Sequence, residues 1–362
     1  MKSLSAITAL AFLTLCATSE GYSQLNRKVG TASATQLLVP VGARDYALGG
    51  PIATTTGVES IHWNPAGMGR MTGDVETIFS NMQYVADIRV NYGAVIGNFG
   101  NIGVIGLSLK AFNFGDISYT TVDDPEGLGG RTYSPNYSTF GISYSRLLSD
   151  RISVGINMKL VSEKVQDVSA STTAFDVGVQ YFRLAGIGGL NLAIAVKNIG
   201  SPMKYEGPGL LVRAIGSESN RPEQFYKVEA GTFELPSSVE IGVAYSSMFN
   251  EMLGYKLSGV FSNDDIYQNS VKIGTELSFS TQGVEVAVRG GFQYVLFGEE
   301  ATREPYESAE LNALENLDIF KSPVLGFGVA YDLGGTVVGA DFAYRSVSLF
   351  GSNTVFSVRL VF

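Results

Sequence analysis

Cysteine is almost absent from this 362-residue sequence, and the single one, Cys16, falls in an apolar stretch at the start of the chain. If that stretch is a removable leader, the mature chain has no thiol. A chain without thiols has neither a disulfide framework nor thiolate ligands for a metal ion. Histidine and tryptophan are equally scarce, with one residue of each, His62 and Trp63. Chemistry that needs an imidazole therefore depends on His62 alone.

Charged residues are also few, at 16% of the sequence, and acidic ones predominate, which gives a net charge of −9. No basic stripe is present that would supply contacts to phosphates, so a nucleic-acid partner is excluded. Beyond the leader, no segment approaches the roughly eighteen uninterrupted apolar residues that a membrane-spanning helix needs. A chain with this shortage of charge, with 45% hydrophobic residues and 43 glycines, is unlike an average soluble domain.

The first 23 residues have the organisation of a secretory signal peptide. Lys2 provides the charged start, an apolar core runs from about residue 4 to 17, and the small residues Gly21 and Ser23 precede Gln24. We expect cleavage near Ser23 and export of the mature chain. A lipoprotein interpretation of Cys16 fits poorly, because Leu15 stands where a small residue is needed.

From Val75 to Phe362, apolar residues alternate with polar or small ones in about fourteen segments separated by turn residues. Successive side chains of a strand point to opposite faces, so this alternation predicts strands with one apolar face. The clearest apolar sets are Ile152, Val154, Ile156 and Met158; Val239, Ile241 and Val243; Val271, Ile273 and Leu277; Val284, Val286 and Val288; and Val338, Ala340, Phe342 and Tyr344.

A soluble β-sandwich would turn the apolar faces inward, whereas an outer-membrane barrel turns them toward lipid. Periodicity by itself does not separate these two alternatives. The leader, the terminal Phe362 and the number of strands favour the membrane. The sequence therefore predicts an all-β fold, a transmembrane antiparallel barrel of about 14 strands over residues 75–362, in the outer membrane of a Gram-negative-type bacterium.

The last strand ends on an aromatic residue with apolar residues at alternate positions before it, namely Phe356, Val358, Leu360 and Phe362. This pattern resembles the signal by which outer-membrane barrels are recognised for assembly. It also meets the requirement of lipid contact, since every second side chain of a spanning strand must be apolar.

The connections between the predicted strands differ in length. Tight turns are expected near residues 98–101, 148–150, 185–187, 280–282 and 332–335, and long connections near 115–136, 200–235 and 297–322. When the strands are numbered from Val75, every long connection falls on one side and every tight turn on the other. Outer-membrane barrels have short periplasmic turns and long external loops, so both ends of the barrel sequence are predicted to be periplasmic.

Fourteen strands enclose a lumen that is wider than their own side chains can fill. Many positions predicted to face inward are small: Gly93, Gly106, Gly141, Gly155, Gly178, Gly242 and Gly328. Inward charges of both signs are also predicted, with Lys110, Lys159, Lys197 and Lys256 against Asp176, Glu240, Glu276 and Asp341. These charges either pair with one another and with a plug or are ordinary lumen residues without partners.

Residues 24–74 lack the alternation and are rich in Gly, Ala and Thr. They contain Trp63, and they end near a turn in which Asn64 can cap a short helical segment that starts at Pro65. We interpret them as a compact hatch inside the barrel. Its motif residues are Gly42, Ala43, Arg44, Gly49, Gly50, Trp63, Asn64, Pro65, Ala66 and Gly67.

These motif residues, followed by Met68, resemble the N-terminal signature of the PorV/PorQ family of outer-membrane proteins from Bacteroidota, within the larger group of FadL-like barrels. The resemblance implies a role in type IX secretion, with secreted cargo proteins or other secretion components as partners. It also leaves open a FadL-like channel for a hydrophobic ligand, because a hatch inside a barrel suits both functions. Outer-membrane lipid is the third expected contact.

Catalysis and metal binding are weakly supported by the sequence. Nucleophilic catalysis needs a base beside a hydroxyl, and His62 has no serine that the sequence singles out. The acidic residues Asp123, Asp124 and Glu126, and the run 263–265, lack the spacing of a calcium loop, so solvated loop tips are the simpler interpretation. A phosphate-binding glycine motif is also missing. We therefore expect no enzyme activity, no metal site and no cofactor.

Two long connections are candidates for partner contact. Residues 297–321 hold six glutamates, with Leu311, Leu314 and Leu317 at a spacing that suits a short amphipathic helix over the barrel or a docking site. Residues 200–235 combine prolines with apolar residues that either guard a hydrophobic entrance or fold back over the rim. The apolar residues are Tyr205, Leu210, Leu211, Phe225 and Tyr226.

Overall fold

A computed structural model describes residues 32–215, 223–266, 269–296, 323–347 and 351–362. The predicted signal peptide, the first residues of the predicted hatch and the glutamate-rich connection 297–321 lie outside the described residues. The expectations for those segments stay predictions, as does the division of the chain at residues 23 and 74.

Fourteen antiparallel strands close into one barrel, which confirms the predicted fold class. Each strand pairs with its neighbours in sequence, and the first pairs with the last from Glu76 opposite Val361 to Gln83 opposite Thr354. The strands are β1 Val75–Gln83, β2 Arg89–Asn98, β3 Val104–Asn113, β4 Asn136–Ser149, β5 Ile152–Val165, β6 Val168–Phe182, β7 Leu190–Gly200, β8 Ser238–Met248, β9 Leu253–Asp264, β10 Ser270–Thr281, β11 Val284–Val295, β12 Val324–Asp332, β13 Val337–Val347 and β14 Gly351–Val361.

The two faces of the strands differ as the alternation predicts. On β14, Phe356 is 50% exposed whereas the adjacent Ser357 is 1% exposed. On β13, Phe342 lies on the outer face and Asp341 is buried on the inner face. The apolar residues therefore cover the outside of a closed cylinder, which is the arrangement that lipid contact requires.

The predicted inward glycines face the lumen with one exception. A Cβ at Gly106 would contact Ile61, and one at Gly242 would contact Ile52. The assignment of Gly93 to the lumen is wrong, because a Cβ there would point into open space. On β2 it is the even-numbered residues, such as Tyr92 and Ala94, that are buried, so the intervening Gly93 faces outward.

The described long connections, residues 114–135 and 201–237, lie at the same end of the barrel, which we call the outer end. The opposite end, the turn end, carries the connections after β2, β4, β6, β8, β10 and β12. The five predicted tight turns all lie at the turn end, as expected, whereas a further tight turn that was not predicted, Gln166 and Asp167, joins β5 and β6 at the outer end. These strands have 14 and 15 residues and stay paired to their tips, so two residues suffice to join them.

The remaining elements are short. Within the long connections, Ile117–Ser118 pairs with Thr132–Tyr133, Met203–Lys204 with Thr232–Phe233, and Leu211–Ala214 with Gln224–Lys227. The helical segments are the α-helices Ala43–Ala47 and Ser60–Trp63 and the 3₁₀ turns Thr35–Leu37, Gly57–Glu59, Pro65–Arg70, Val85–Asp87, Gly100–Ile102, Leu184–Gly186 and Pro208–Leu210. Across the described ranges, none of the helices has both the length and the apolar character needed to cross a membrane.

The inner wall differs in chemistry from strand to strand. Strands β1 to β3 present mainly apolar residues to the lumen, including Ile78, Val90 and Ile96. Strands β5 to β14 present buried charged and polar residues, such as Lys159, Glu240 and Arg289, with buried apolar residues between them. Side chains of the inner wall are buried only if other residues pack against them, and residues 32–74 are the residues that do so.

We expect a charge on the outer face to destabilise the barrel according to its depth. Val288 and Val284 lie on the same face of β11, but Val284 is the first residue of the strand, at the turn end. Val288→Arg should cost about 2–4 kcal/mol and Val284→Arg about 0–1 kcal/mol, because an arginine near the interface reaches water. Urea unfolding in lipid vesicles measures both, and equal costs would contradict the assignment of this face to lipid.

Candidate functional site

The N-terminal segment, residues 32–74, contacts both ends of the barrel. Ala32 forms a bridge with Glu234 in a long connection at the outer end. At the turn end, Arg70 Nη2 donates to the carbonyl oxygen of Asp150 at 2.6 Å, and the Asp74 N–H donates to that of Phe362 at 2.7 Å. The described segment thus starts at the outer end and reaches β1 at the turn end.

The turn at Asn64 is closed by its own side chain. Asn64 Oδ1 accepts the N–H of Ala66 at 3.1 Å, and Pro65 occupies the first position of the 3₁₀ turn, as the sequence predicts. Asn64 Nδ2 also donates to the carbonyl oxygen of Ile52 at 3.0 Å. One asparagine therefore caps the turn and ties it to an earlier part of the N-terminal segment.

Strands β4 to β6 receive this turn on a surface of glycines and hydroxyl groups. The hydroxyls of Ser145 and Ser153 donate to the carbonyl oxygen of Ala66 at 3.1 and 2.5 Å. A Cβ at Gly155 would lie 2.5 Å from the backbone nitrogen of Ala66, and one at Gly178 would overlap the Asn64 side chain. Backbone therefore packs directly on backbone here.

A second wall contact lies nearby. Gln180 Nε2 on β6 donates to the carbonyl oxygens of Ile52 at 2.8 Å and Thr55 at 2.9 Å. Gln180 is fully buried, and its amide satisfies two carbonyls that the irregular N-terminal segment leaves without backbone partners. The contact fixes the middle of the segment against the wall.

The Trp63 ring packs directly on the backbone of Gly50. Gly50 has φ 77°, and a Cβ there would lie 2.6 Å from Cε3 of the Trp63 ring. The indole Nε1 donates to the carbonyl oxygen of Val41 at 3.2 Å. Gly67 is needed for a similar reason, because a Cβ there would lie 2.7 Å from the Cβ of Ser60. Both glycines permit close approach within the segment.

The Gly42-Ala43-Arg44 part of the motif meets the seam where β14 closes on β1. The Ala43 N–H donates to Ser357 Oγ at 2.8 Å, and Ser357 Oγ donates to Ser80 Oγ at 3.1 Å. Arg44 Nε lies 3.8 Å from Glu276 Oε2 on β10. This part of the motif thus contacts strands β14 and β1, which close the barrel, and the charged side chain of Glu276 on β10.

Most of the predicted lumen charges are paired. Lys110 is different, because it donates to the backbone carbonyls of Gln36 at 2.9 Å and Val39 at 2.5 Å and so holds the N-terminal segment itself. The pairs are Lys159–Asp176 at 2.5 Å, Lys197–Glu240 at 2.7 Å, Lys272–Glu240 at 2.9 Å, Lys256–Glu276 at 3.0 Å, Arg289–Glu276 at 2.5 Å and Arg289–Asp341 at 2.6 Å.

Two carboxyl groups of the N-terminal segment are buried near each other. Asp45 accepts a hydrogen bond from the Thr55 hydroxyl, and Glu59 is 3% exposed with Oε1 against Gly42. Burial and the nearby Asp45 raise the pKa of Glu59 to about 8. Burial works against the charge of Arg44, but Glu276, Glu59 and Asp45 still raise its pKa above the ordinary value. Glu59 therefore holds its proton to a higher pH than an exposed carboxyl group does, while Arg44 stays charged.

His62 lies in a packed environment with several positive charges nearby. Its ring packs edge-on against Trp63, with centroids 5.0 Å apart. Burial and the charges of Lys110, Lys197 and Lys159 hold the pKa of His62 well below its ordinary value. Asp124, which the sequence analysis interprets as part of a solvated loop tip and not as a calcium ligand, accepts the N–H groups of Leu128 and Gly129 in its own loop. Within the described ranges no group of three or more His, Cys, Asp or Glu side chains could hold a metal ion.

Two cavities stand out in the described part of the chain. A cleft of about 500 Å³ lies at the outer ends of β3 and β4, and its lining is Phe112, Asn113, Gly115, Asp116, Ser134, Pro135 and Asn136. A void of about 10 Å³ lies between Arg44 and the charged wall, beside Arg289 and Asp341. It has room for about one water molecule. Neither cavity is an apolar pocket beside the motif residues.

The fold is that of known outer-membrane channels. The structure is similar to the CymD monoaromatic hydrocarbon channel, with TM-score 0.55 and 12% identity over 89% of this chain and 97% of that one. A Pseudomonas aeruginosa FadL homologue matches with TM-score 0.52 and 12% identity over 89% and 98%. The Ralstonia pickettii toluene transporter TbuX matches with TM-score 0.50 and 13% identity over 89% and 97%. These likenesses define the class as an outer-membrane barrel with a FadL-like fold.

Sequence comparison identifies the family within this class. The model of the family described as "Type IX secretion system protein PorV" matches residues 22–245, which is more than half of the chain. The chain belongs to the PorV family. No curated protein matches it. The resemblance noted from the motif residues is thus confirmed, and the protein is an outer-membrane β-barrel of type IX secretion.

The structure brings the motif residues together and adds wall residues that sequence reasoning missed. Gly49, Gly50, Trp63 and the turn from Asn64 to Gly67 all lie in the N-terminal segment, whereas Phe356 and Phe362 lie on the outside of the barrel. The missed residues are Ser145, Ser153, Gln180, Ser357 and Ser80. They occupy strand positions at which the alternation predicts a side chain that faces the lumen, and this was the signal in the sequence that could have identified them. The assignment of the motif residues as a functional site stays a prediction.

Filling the wall where the turn docks should destabilise the protein. Gly155→Ala places a methyl group against Ala66, and overpacking of this kind costs about 1–3 kcal/mol. Gly93→Ala is the matched control, because it adds the same group to a strand facing open space, and alanine in a strand is favoured over glycine by roughly 0.5–1 kcal/mol. Urea unfolding in vesicles measures both. Equal behaviour of the two variants would contradict the docking described here.

The buried Glu59 should make stability depend on pH. Between its ordinary pKa of 4.5 and the folded value of about 8, the folded protein holds a proton that the unfolded chain has released. The free energy of unfolding should therefore fall as pH rises through this range and level off above it. Glu59→Gln cannot ionise, so the variant should lose that part of the slope. Unfolding measured at several pH values tests this, and parallel profiles for both proteins would refute it.

Proposed function

We propose that the barrel binds secreted cargo or another type IX secretion component at its outer end, while the N-terminal segment acts as a hatch that keeps the lumen closed. The observation that carries this proposal is the contact of one segment with both ends of the barrel and with the inner wall between them. Because the segment occupies the lumen in this way, the outer end of the barrel is the favoured place for binding a partner. We further propose that it catalyses no reaction.

The hatch role is supported by how the segment is held. Backbone packs on glycine at β5 and β6, hydroxyl and amide groups bind its carbonyls, and Arg44 faces the charged wall. Removing such a segment would leave several buried charges and hydrogen-bonding groups without partners. Each orphaned group costs about 1–3 kcal/mol, so spontaneous release is disfavoured.

The connection between β7 and β8 has a fixed base and an exposed tip. At the base, Met203 and Leu235 are buried against Ala34 and Leu37 of the N-terminal segment, and the Tyr205 hydroxyl donates to Glu163 on β5. This part folds back over the rim, one of the two possibilities that the sequence left open. The base thus holds the tip in place at the outer end.

The tip is the hairpin Leu211–Ala214 with Gln224–Lys227, and all eight of its residues are exposed. Val212 and Tyr226 pair on one face, and Arg213 stacks on Phe225 on the other. An isolated two-stranded hairpin is only marginally stable in water. Apolar side chains on both faces therefore favour a partner protein as their contact.

A pull-down from detergent-solubilised membranes tests the proposed binding. We expect the wild-type protein to recover cargo or secretion components, and Val212→Ser combined with Phe225→Ser to reduce that recovery about tenfold or more, as loss of central interface anchors does. Gln224→Ser with Lys227→Ser is the matched control on the same hairpin and should change recovery little. Recovery of no secretion component by the wild type would count against the proposal.

The second candidate is uptake of a hydrophobic small molecule, which the similarity to hydrocarbon channels and toluene transporters suggests. At identities of 10–13% these likenesses support the fold alone. A channel for a hydrophobic molecule should have an apolar pocket beside the hatch. Titration of the purified protein with a fatty acid or an aromatic hydrocarbon tests it: saturable binding would support the channel, and its absence would remove this candidate.

A further inference from the structure

Basic residues cluster in one sector of the turn end. Arg146, Arg151 and Arg183 lie where β4, β5 and β6 meet their turns, and all three are exposed. Asp150 is the acidic residue of that sector. At the other described turns outside the lumen the charges are acidic, namely Asp74, Glu251 and Asp332. The positive charge is therefore confined to one sector and is not a property of the whole rim.

Arg146 faces the membrane side of the wall. On β4 the outward residues are Phe140, Ile142, Tyr144 and then Arg146, and the exposed Leu147 and Leu148 follow before the strand ends at Ser149. A charge on this face is tolerated at the edge of the hydrocarbon, where the side chain can reach the headgroups. Arg146 lies three residues before the end of β4 at the turn end, which puts its long side chain within reach of that depth.

Arg151 and Arg183 lie beside each other in adjacent turns. The carbonyl oxygen of Arg151 accepts the N–H of Phe182 at 2.7 Å, and Arg183 is the next residue along the chain. Arg70 adds a fourth positive charge, with its Cζ 3.3 Å from the Phe182 ring centroid. Burial and the nearby Arg183 lower the pKa of Arg70. This sector thus concentrates like charges that repel one another.

None of these three exposed arginines forms an ion pair with a carboxylate in the described part of the chain. Their guanidinium groups therefore have donors free for an anion from outside. Arginine matches phosphate with paired N–H groups, and its stem lies easily along apolar surface. The tyrosines Tyr144 and Tyr181, on the outward faces of β4 and β6, are the side chains expected at headgroup level.

We propose that Arg146, Arg151 and Arg183 bind the phosphate headgroup of an anionic phospholipid in the leaflet on the turn side of the barrel. The outward position of Arg146 favours a lipid over a soluble anion, because the acyl chains of a bound lipid would lie along the apolar outer face of β4 beside this residue. The site is separate from the outer end, so it stands independently of the proposed function.

Native mass spectrometry of the purified full chain tests the proposal. The protein is delipidated in neutral detergent and titrated with phosphatidylglycerol, with phosphatidylethanolamine and with inorganic phosphate. We expect the wild type to retain phosphatidylglycerol in preference to phosphatidylethanolamine. The R146Q/R151Q/R183Q variant should bind it more weakly, by about fivefold for each arginine removed. Excess inorganic phosphate should displace little of it.

The matched control is R89Q/R131Q/K164Q, which removes the same charge from exposed positions at the outer end. It should retain phosphatidylglycerol like the wild type. Circular dichroism verifies that both variants are folded, which is expected because all six side chains are exposed. Equal lipid retention by the turn-end variant and the wild type would overturn the proposal, as would equal losses in both variants. Full displacement by inorganic phosphate would reassign the site to a soluble anion.

Discussion

Direct packing of backbone on backbone inside the barrel is the constraint on which the rest of this structure depends. A cylinder of fourteen strands encloses more space than its own side chains fill. Gly155, Gly178, Gly274 and Gly291 face the lumen where the backbone or a motif side chain of the N-terminal segment passes closest. A side chain at any of these positions would occupy the volume of the segment, so the wall and its filling are complementary in shape.

Two kinds of contact hold the segment against the wall. Residues such as Val58, Ile61 and Met68 are buried among apolar side chains beside β1 to β3, and further apolar clusters join the segment to β5 to β14. This burial stabilises without directional demands. The other contacts are hydrogen bonds and ion pairs, whose gain is offset by the cost of removing charges from water. The apolar contacts thus favour burial of the segment, and the polar contacts select one position for it.

Much of the fold could be predicted from the residues alone, because alternation in a strand is a local property. The outward residues from Ile152 to Met158 and from Val338 to Tyr344 follow from the period of two, and the number of strands follows from counting such sets. The errors came where a local pattern was insufficient. The assignment of Gly93 to the lumen is wrong because its parity on β2 depends on its neighbours. The β5–β6 turn is missing from the predicted turns, although long paired strands can end in a tight turn at either end.

The sequence by itself determined the class of fold, the outward apolar faces, the Asn64–Pro65 turn and the resemblance to the PorV family. All of these depend on residues close together in the chain or on a motif. Only the tertiary structure decided that Ser153 and Gln180 bind the carbonyls of the N-terminal segment, that Arg44 faces Glu276 and that Ala32 lies at the outer end. Those partners are about ninety to more than two hundred residues apart. Closure of the barrel and the register of its strands bring them together, and neither can be read from a local pattern.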